Sequence, residues 1–249
     1  MHAEKLQAIV ISTIDYGDSD RIASLFSLEH GRIKAFARGA RTSRKRFGAA
    51  LEAFARIEAQ VRVKDGLAGL QQAEIVTIYP RIRGDLSAIA HALYACEVVE
   101  AMTPEGHPLP RLYRLLAAYL DRLEMETAAD DGDRRFFEIN LLNILGYRPA
   151  LESCSRCNGP FGTTGALLQE SGEPVCRACA TTGRPLHSAT LKALNACMAT
   201  GTFGKVVFPA DLLVEGGILL DRSIATHAGR RLKSLEFLTQ VTQPGSPPD

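Results

Sequence analysis

Residues 32–38, Arg-Ile-Lys-Ala-Phe-Ala-Arg, alternate strictly: Arg32, Lys34, Phe36 and Arg38 fall on one side, Ile33, Ala35 and Ala37 on the other. Successive side chains of a strand point to opposite faces, so this stretch is a strand with an apolar face and a basic face that carries one aromatic ring. Residues 54–64 repeat the pattern, with Ala55, Ile57, Ala59, Val61 and Val63 on one side and Phe54, Arg56, Glu58, Gln60, Arg62 and Lys64 on the other. Upstream, the apolar runs QAIVISTI (7–14) and RIASLFSL (21–28) are rich in β-branched residues and are followed by turn material, DYGDSD (15–20) and EHG (29–31). About five short strands between residues 5 and 78 suit a small closed barrel, because curling a sheet onto itself removes its exposed edges.

Beyond Tyr79-Pro80 the period changes from two to that of a helix, and Pro80 with Gly84-Asp85 marks the expected boundary between a domain over 1–80 and a helical domain over 81–241. Leu86 to Met102 reads as an apolar helix ended at Thr103-Pro104-Glu105-Gly106. Leu112, Leu115, Leu116, Tyr119, Leu120 and Leu123 line one side of a second helix. Residues 134–145 are apolar nearly all round, which places them in the centre of a bundle, and Gly146 stops them. Ser188 is the expected N-cap of a helix carrying Leu191, Leu194 and Met198, and a last helical stretch runs from about 224 to 241, broken near Gly229. The tail 242–249, TQPGSPPD, has too little apolar surface to fold and is expected to be disordered.

Between the helical segments lies C-x2-C twice: Cys154 and Cys157, then Cys176 and Cys179, with 18 residues between the pairs. Each close pair offers two thiolates to one metal ion from a tight turn, and four thiolates leave no coordination position for water, so the spacing points to one structural zinc ion in a finger over 150–182. Two disulfides or an iron–sulfur cluster would use the same residues. The opening segment does not read as a signal peptide and no apolar run approaches membrane-spanning length, so a cytoplasmic location is expected, where reduced thiols favour zinc over disulfides. Cys96 and Cys197 sit in apolar helical patterns and read as small core residues.

The chain has 249 residues, 46% of them hydrophobic, and a formal net charge of only +1. Its charge is unevenly spread. Arg32, Lys34, Arg38, Arg41, Arg44, Lys45, Arg46, Arg56, Arg62 and Lys64 face only Glu52 and Glu58 in the same segment, a local excess of eight positive charges, which leaves the remainder of the chain at −7. A basic zone on an otherwise acidic molecule is the footprint of a polyanion partner. Cations neutralise phosphates, and Phe36, Phe47 or Phe54 would stack on unpaired bases; the alternative is a solvated charged face with the phenylalanines capping the barrel. Enzymatic patterns fail. Gly204-Lys205 is followed by Val206 where a phosphate-binding loop needs Ser or Thr, His2-Ala3-Glu4 lacks the cysteine partner of a zinc deaminase, and the six histidines form no ligand or triad spacing. No catalytic residue is assigned.

Several of these segments together resemble one family. Asp15-Tyr16-Gly17-Asp18-Ser19-Asp20, Leu25-Phe26, Glu29-His30-Gly31, Ala37-Arg38-Gly39-Ala40-Arg41 and Arg46-Phe47-Gly48 resemble the amino-terminal domain of the RecO recombination mediators. Leu141 to Tyr147 with Pro149, leading into Cys154 and Cys157, resembles the zinc-bearing members, and Gly229 to Ser234 resembles the carboxy-terminal helix. The resemblance implies an α+β chain: an OB-fold barrel, then a helical domain with an inserted four-cysteine zinc finger. It implies a non-enzymatic, nucleoid-associated protein that binds single- and double-stranded DNA, anneals complementary strands and, with RecR, loads RecA onto DNA coated by single-stranded-DNA-binding protein (SSB). For DNA contact the matched positions are Arg38, Arg41 and the Arg44–Arg46 run. Some relatives lack the cysteines, so zinc is expected to stabilise this chain without being its mechanism. An acidic, apolar SSB tail would want a basic rim, which Arg230, Arg231 and Lys233 offer. A different class of function stays open: a protein-interaction scaffold whose basic barrel binds an acidic protein.

Overall fold

Alternation in the first 77 residues is realised as a closed barrel. In the computed structural model, which describes residues 3–43, 45–62, 66–125 and 130–242, strands β1 (Glu4–Tyr16), β2 (Asp20–Ser27), β3 (Gly31–Ala37), β4 (Arg56–Arg62) and β5 (Leu67–Thr77) close in the order β1-β2-β3-β5-β4. Every neighbouring pair is antiparallel except β3 and β5. Leu6, Val10, Leu25, Ile33, Ile57, Val61 and Leu70 fill the interior, and alanines at 8, 23, 35, 37, 59, 68 and 73 occupy the positions between them. That mixture of small and large residues lets so few strands close without a void. The β3–β4 connection folds Phe47, Ala50 and Leu51 into the same core.

Helices α1 (Pro80–Gly84), α2 (Leu86–Met102) and α3 (Pro110–Met125) follow. The Asp85 carboxylate caps α2 by accepting the Ala88 amide at 2.8 Å, and α2 covers the bounds expected of it. On α3, Leu112, Leu116, Tyr119, Leu120 and Leu123 are buried, as the spacing requires. The outward residues Ile9, Ile11, Ser24 and Phe26 on β1 and β2 are also buried, with the Phe26 ring 6.4 Å from that of Tyr113 on α3, so part of the barrel wall is covered. Gly31, at φ +65°, passes so close to the His107 backbone that a β-carbon would run into that carbonyl. Compactness groups Met1–Ala128 with Leu232–Asp249 as one unit and Ala129–Arg231 as another, whereas the expected 1–80 and 81–241 divide the chain by element type.

The second unit holds α4 (Asp131–Leu145), a short 3-10 turn (Gly162–Thr164), the strands β6 (Ala166–Leu168), β7 (Pro174–Val175) and β8 (Arg184–Leu186) in the order β7-β6-β8, then α5 (Ser188–Thr200) and α6 (Ala210–Ala228). Gly146 ends α4 in a left-handed conformation. The α4 helix is buried as expected, but it buries charge too: Glu138, with no exposed side chain, accepts from Arg134 at 2.8 Å and Arg135 at 2.6 Å, and both guanidinium groups also reach Asp221 on α6. Gly217 on α6 makes room for them, since a β-carbon there would lie 2.6 Å from an Arg135 nitrogen.

Two helix boundaries differ from the expectation. The N-cap of α5 is His187 with Ser188 as its first residue, because Glu215 on α6 accepts the His187 amide and so serves the helix end from a distance in sequence. The last helical stretch is two helices, α6 starting already at Ala210 and α7 (Lys233–Thr242) following a left-handed Gly229. The Gly216-Gly217 pair disguises α6 in the sequence. Of the expected disordered tail, only Thr242 is described, and it ends α7; residues 243–249 lie outside the described residues.

Candidate nucleic-acid interface and four-cysteine centre

Register arranges the exposed wall of the barrel in rows. Ile14 pairs with Ile22, Ile22 with Phe36, Phe36 with Gly69 and Gly69 with Arg62, so these positions form one line across all five strands. The adjacent line is Ser12, Ser24, Lys34 and Leu67, of which Ser24 is buried with its hydroxyl donating to Glu100 at 2.8 Å. Tyr16, 58% exposed, sets its ring edge-on to Phe36 with centroids 5.8 Å apart, and Ile14 is 66% exposed beside it. The result is an aromatic and aliphatic surface open to solvent and bordered by cations. Phe47 and Phe54 are not part of it: both are buried, as barrel-capping phenylalanines would be, and offer no face to a base. Tyr16 and Ile14 carried no signal in the sequence beyond their place in or next to turn material, because exposure at a strand end is decided by the neighbouring strands.

Pairing sorts the basic residues. Arg32 binds Glu105 at 2.9 Å and the Thr103 carbonyl at 3.1 Å, and Lys34 lies 3.4 Å from Glu105. Arg56 pairs with Asp121 at 3.1 Å, and Arg41 with Asp15 at 3.7 Å. Arg46 donates to the Arg38 carbonyl at 2.8 Å and to Ser43 at 3.0 Å while its guanidinium sits 5.0 Å from the Phe47 ring centroid. Arg38, Lys45 and Arg62 are exposed and, like Arg46, have no carboxylate within ion-pair distance among the described residues, although the Arg38 charge helps to lower the Asp20 carboxyl. Arg44 and Lys64 lie outside the described residues. The base of the basic loop is fixed by Asp20, which accepts the Gly39 amide at 2.7 Å; that bond, then the Ser19 hydroxyl, holds the carboxyl below its usual range.

In the second unit the four sulfur atoms of Cys154, Cys157, Cys176 and Cys179 lie within 4.8 Å of one another. None of the six cysteines is in a disulfide, and the Cys157–Cys176 sulfur separation is 3.7 Å. A tetrahedron with metal–sulfur bonds of about 2.3 Å has edges of about 3.8 Å, so the set fits one four-coordinate ion. The amides of Cys176 and Arg156 donate to Cys154 Sγ at 3.2 and 3.4 Å. Burial opposes ionisation of Cys154, but these N–H groups more than offset it and hold the thiol at about 6, while hydrogen bonds to the other three sulfurs push Cys179 up to about 12. Cys96 and Cys197 are buried, and burial raises each to about 12, as inert core thiols.

The residues considered for a protein tail are all exposed: Arg230 and Arg231 in the second unit and Lys233 in the first. Lys233 borders a pocket of about 380 Å³ in the first unit with Ile11, Leu93 and Phe237, but Glu97 and Glu100 line it too, so its charge is mixed.

A closed five-stranded barrel with an open aromatic wall, carried on one chain with helices and a four-thiol centre, defines an OB-like barrel protein with an accessory metal-binding module. Two family models match in order: Recombination protein O N terminal over residues 1–90 and Recombination protein O C terminal over 83–236. The chain belongs to the RecO family. It is 68% identical to the DNA repair protein RecO of Pelobacter propionicus, over 97% of this chain and 98% of the relative. The DNA repair proteins RecO of Geobacter sulfurreducens and Myxococcus xanthus are 48% and 37% identical, over 97% and 94% of this chain and 100% and 96% of theirs. Among the described residues no helix is long and apolar enough to cross a membrane.

Proposed function

We propose that this chain is a non-enzymatic recombination mediator of DNA repair that binds single- and double-stranded DNA, anneals complementary strands and, with RecR, loads RecA onto SSB-coated DNA in the cytoplasm, at the nucleoid. The observation that carries the DNA-binding reading is the Tyr16–Phe36 pair, Tyr16 exposed and Phe36 half-buried, on a barrel that also carries the exposed cations Arg38, Lys45, Arg46 and Arg62, none within ion-pair distance of a carboxylate among the described residues. Cations take the phosphates and rings take the bases without reading sequence, because every base has a π-face. Annealing follows from the same surface: neutralised phosphates let two strands approach, while weak stacking leaves their pairing edges free. Arg32, Lys34, Arg41 and Arg56 extend the footprint with partly neutralised charge, and Arg44 and Lys64 belong to it by sequence. The four cysteines hold one zinc ion as a structural staple, since four thiolates leave no place for a reacting water. Lys233, at the first unit's pocket, is the basic group that meets the SSB tail, and Arg230 and Arg231 belong to the same basic stretch by sequence.

The test is titration of labelled unpaired oligonucleotide by fluorescence anisotropy across a range of salt. Wild type binds with an affinity that falls steeply as salt rises, and the Arg38→Ala/Lys45→Ala/Arg62→Ala variant loses about 2 from the slope of log affinity against log salt, at about 0.7 per lost phosphate contact. No binding near physiological salt would leave the barrel as a scaffold for an acidic protein and overturn the reading.

A further inference from the structure

Beside the four-cysteine centre the second unit has an open pocket of about 570 Å³ whose lining includes three arginines, Arg156, Arg184 and Arg222. They come from three separate elements: the first cysteine knuckle, the start of β8 and the middle of α6. Two are held by backbone. Arg156 donates from Nη1 to the Cys179 carbonyl at 3.2 Å, and Arg222 donates from Nη1 to the Gln169 carbonyl at 2.9 Å. Arg184 is delivered by a close crossing: Gly183 has φ +140°, and a β-carbon there would lie 2.7 Å from Gln169 Nε2 and 2.9 Å from the Leu168 carbonyl oxygen. Only glycine permits that approach.

None of the three guanidinium groups has a carboxylate within ion-pair distance among the described residues, which sets them apart from Arg134 and Arg135 in the same unit. Glu170 is the one carboxylate in the lining, and it leaves an excess of two positive charges. Each guanidinium has five N–H donors, of which Arg156 and Arg222 commit one nitrogen, so most of the donor capacity at the pocket is unspent. Planar forks with free donors suit tetrahedral phosphate oxygens better than point charges do. The lining has no aromatic ring, so the base of a free nucleotide would find nothing to stack on, whereas the phosphates of a strand need no such partner.

We propose that the Arg156, Arg184 and Arg222 pocket is a second nucleic-acid contact, seating backbone phosphates of a DNA strand on the cysteine-bearing unit. This rests on the DNA-binding reading of the barrel, from which it is experimentally separable. The experiment uses the full chain with Arg184→Ala and Arg184→Glu, chosen because this side chain is exposed and has no partner whose loss would disturb folding; unchanged circular dichroism and metal content confirm that. Oligonucleotide binding is measured against salt in wild type, in both variants, and in each combined with the Arg38→Ala/Lys45→Ala/Arg62→Ala barrel variant. Arg184→Ala is expected to lower the salt slope by about 0.7, and Arg184→Glu to weaken binding about tenfold or more at low salt, in either background. Unchanged slope and affinity in both Arg184 variants, while the barrel variant weakens, overturns this inference alone; no binding by wild type overturns both readings. A third arm titrates adenosine monophosphate: binding that needs Arg184 and is tighter than that of the oligonucleotide makes the ligand a free nucleotide and overturns the strand assignment.

Discussion

At the residue scale, two rings, Tyr16 and Phe36, give the barrel wall its stacking surface. Phe36→Ala and Tyr16→Ala should each weaken single-strand binding by about 1–3 kcal/mol per base stacked, with the salt slope unchanged, a separation that anisotropy titrations read directly. Double-stranded DNA, whose bases are already stacked, should lose far less. Asp20 decides how the basic loop is seated, by accepting the Gly39 amide. Its carboxyl is held low in the folded chain, chiefly by the Gly39 amide, so its contribution is fully present above the unfolded value of about 3.9 and is lost as pH falls through the lower folded one. Protection of the Gly39 amide, measured as its exchange rate relative to an unstructured amide at the same pH, should therefore be high at neutral pH and fall in acid, whereas Asp20→Ala should give little protection at either. Gly31→Ala, which strains a positive φ and drives a β-carbon into the His107 carbonyl, should cost at least about 1 kcal/mol of stability in urea unfolding.

At the element scale, α4 shows how a helix can be apolar in pattern and still bury a charge network. Glu138→Ala leaves Arg134 and Arg135 to share Asp221 without their buried partner and should destabilise the second unit by about 3 kcal/mol, measured as a shift in its unfolding midpoint. Local pattern made the strands, α2, the apolar face of α3 and the Gly146 stop legible, because in each the residues that set the element lie within it. The capping of α5 was not, since Glu215 acts from another helix, and neither was the start of α6, whose paired glycines oppose helix locally and are repaid only by the close approach of Thr190, Leu194 and Arg135. Phe47 and Phe54 follow the same rule: nothing beside them in sequence says that the β3–β4 connection turns them inward.

At the scale of the whole molecule, the chain divides into two compact units, one bearing the barrel and the other the four cysteines. On the proposed zinc staple, a thiol-competent chelator or Cys176→Ser should lower the unfolding temperature of the second unit and loosen β6, β7 and β8, while the barrel keeps its stacking surface; differential scanning calorimetry with a colorimetric zinc assay checks both. Acidification should release the ion as thiolates take up protons. The amino-acid order alone determined the strand alternation that makes a barrel, the spacing that gathers four sulfurs around one point, and the basic excess between residues 32 and 64. Each of these depends on neighbours in the chain. Which cations keep their charge free, which rings face water, and the meeting of Arg156, Arg184 and Arg222 around one pocket were decided only by the tertiary structure. Pairing and burial depend on groups brought together from distant positions, as Glu105 is to Arg32 and Asp121 to Arg56, and no local pattern carries that distance.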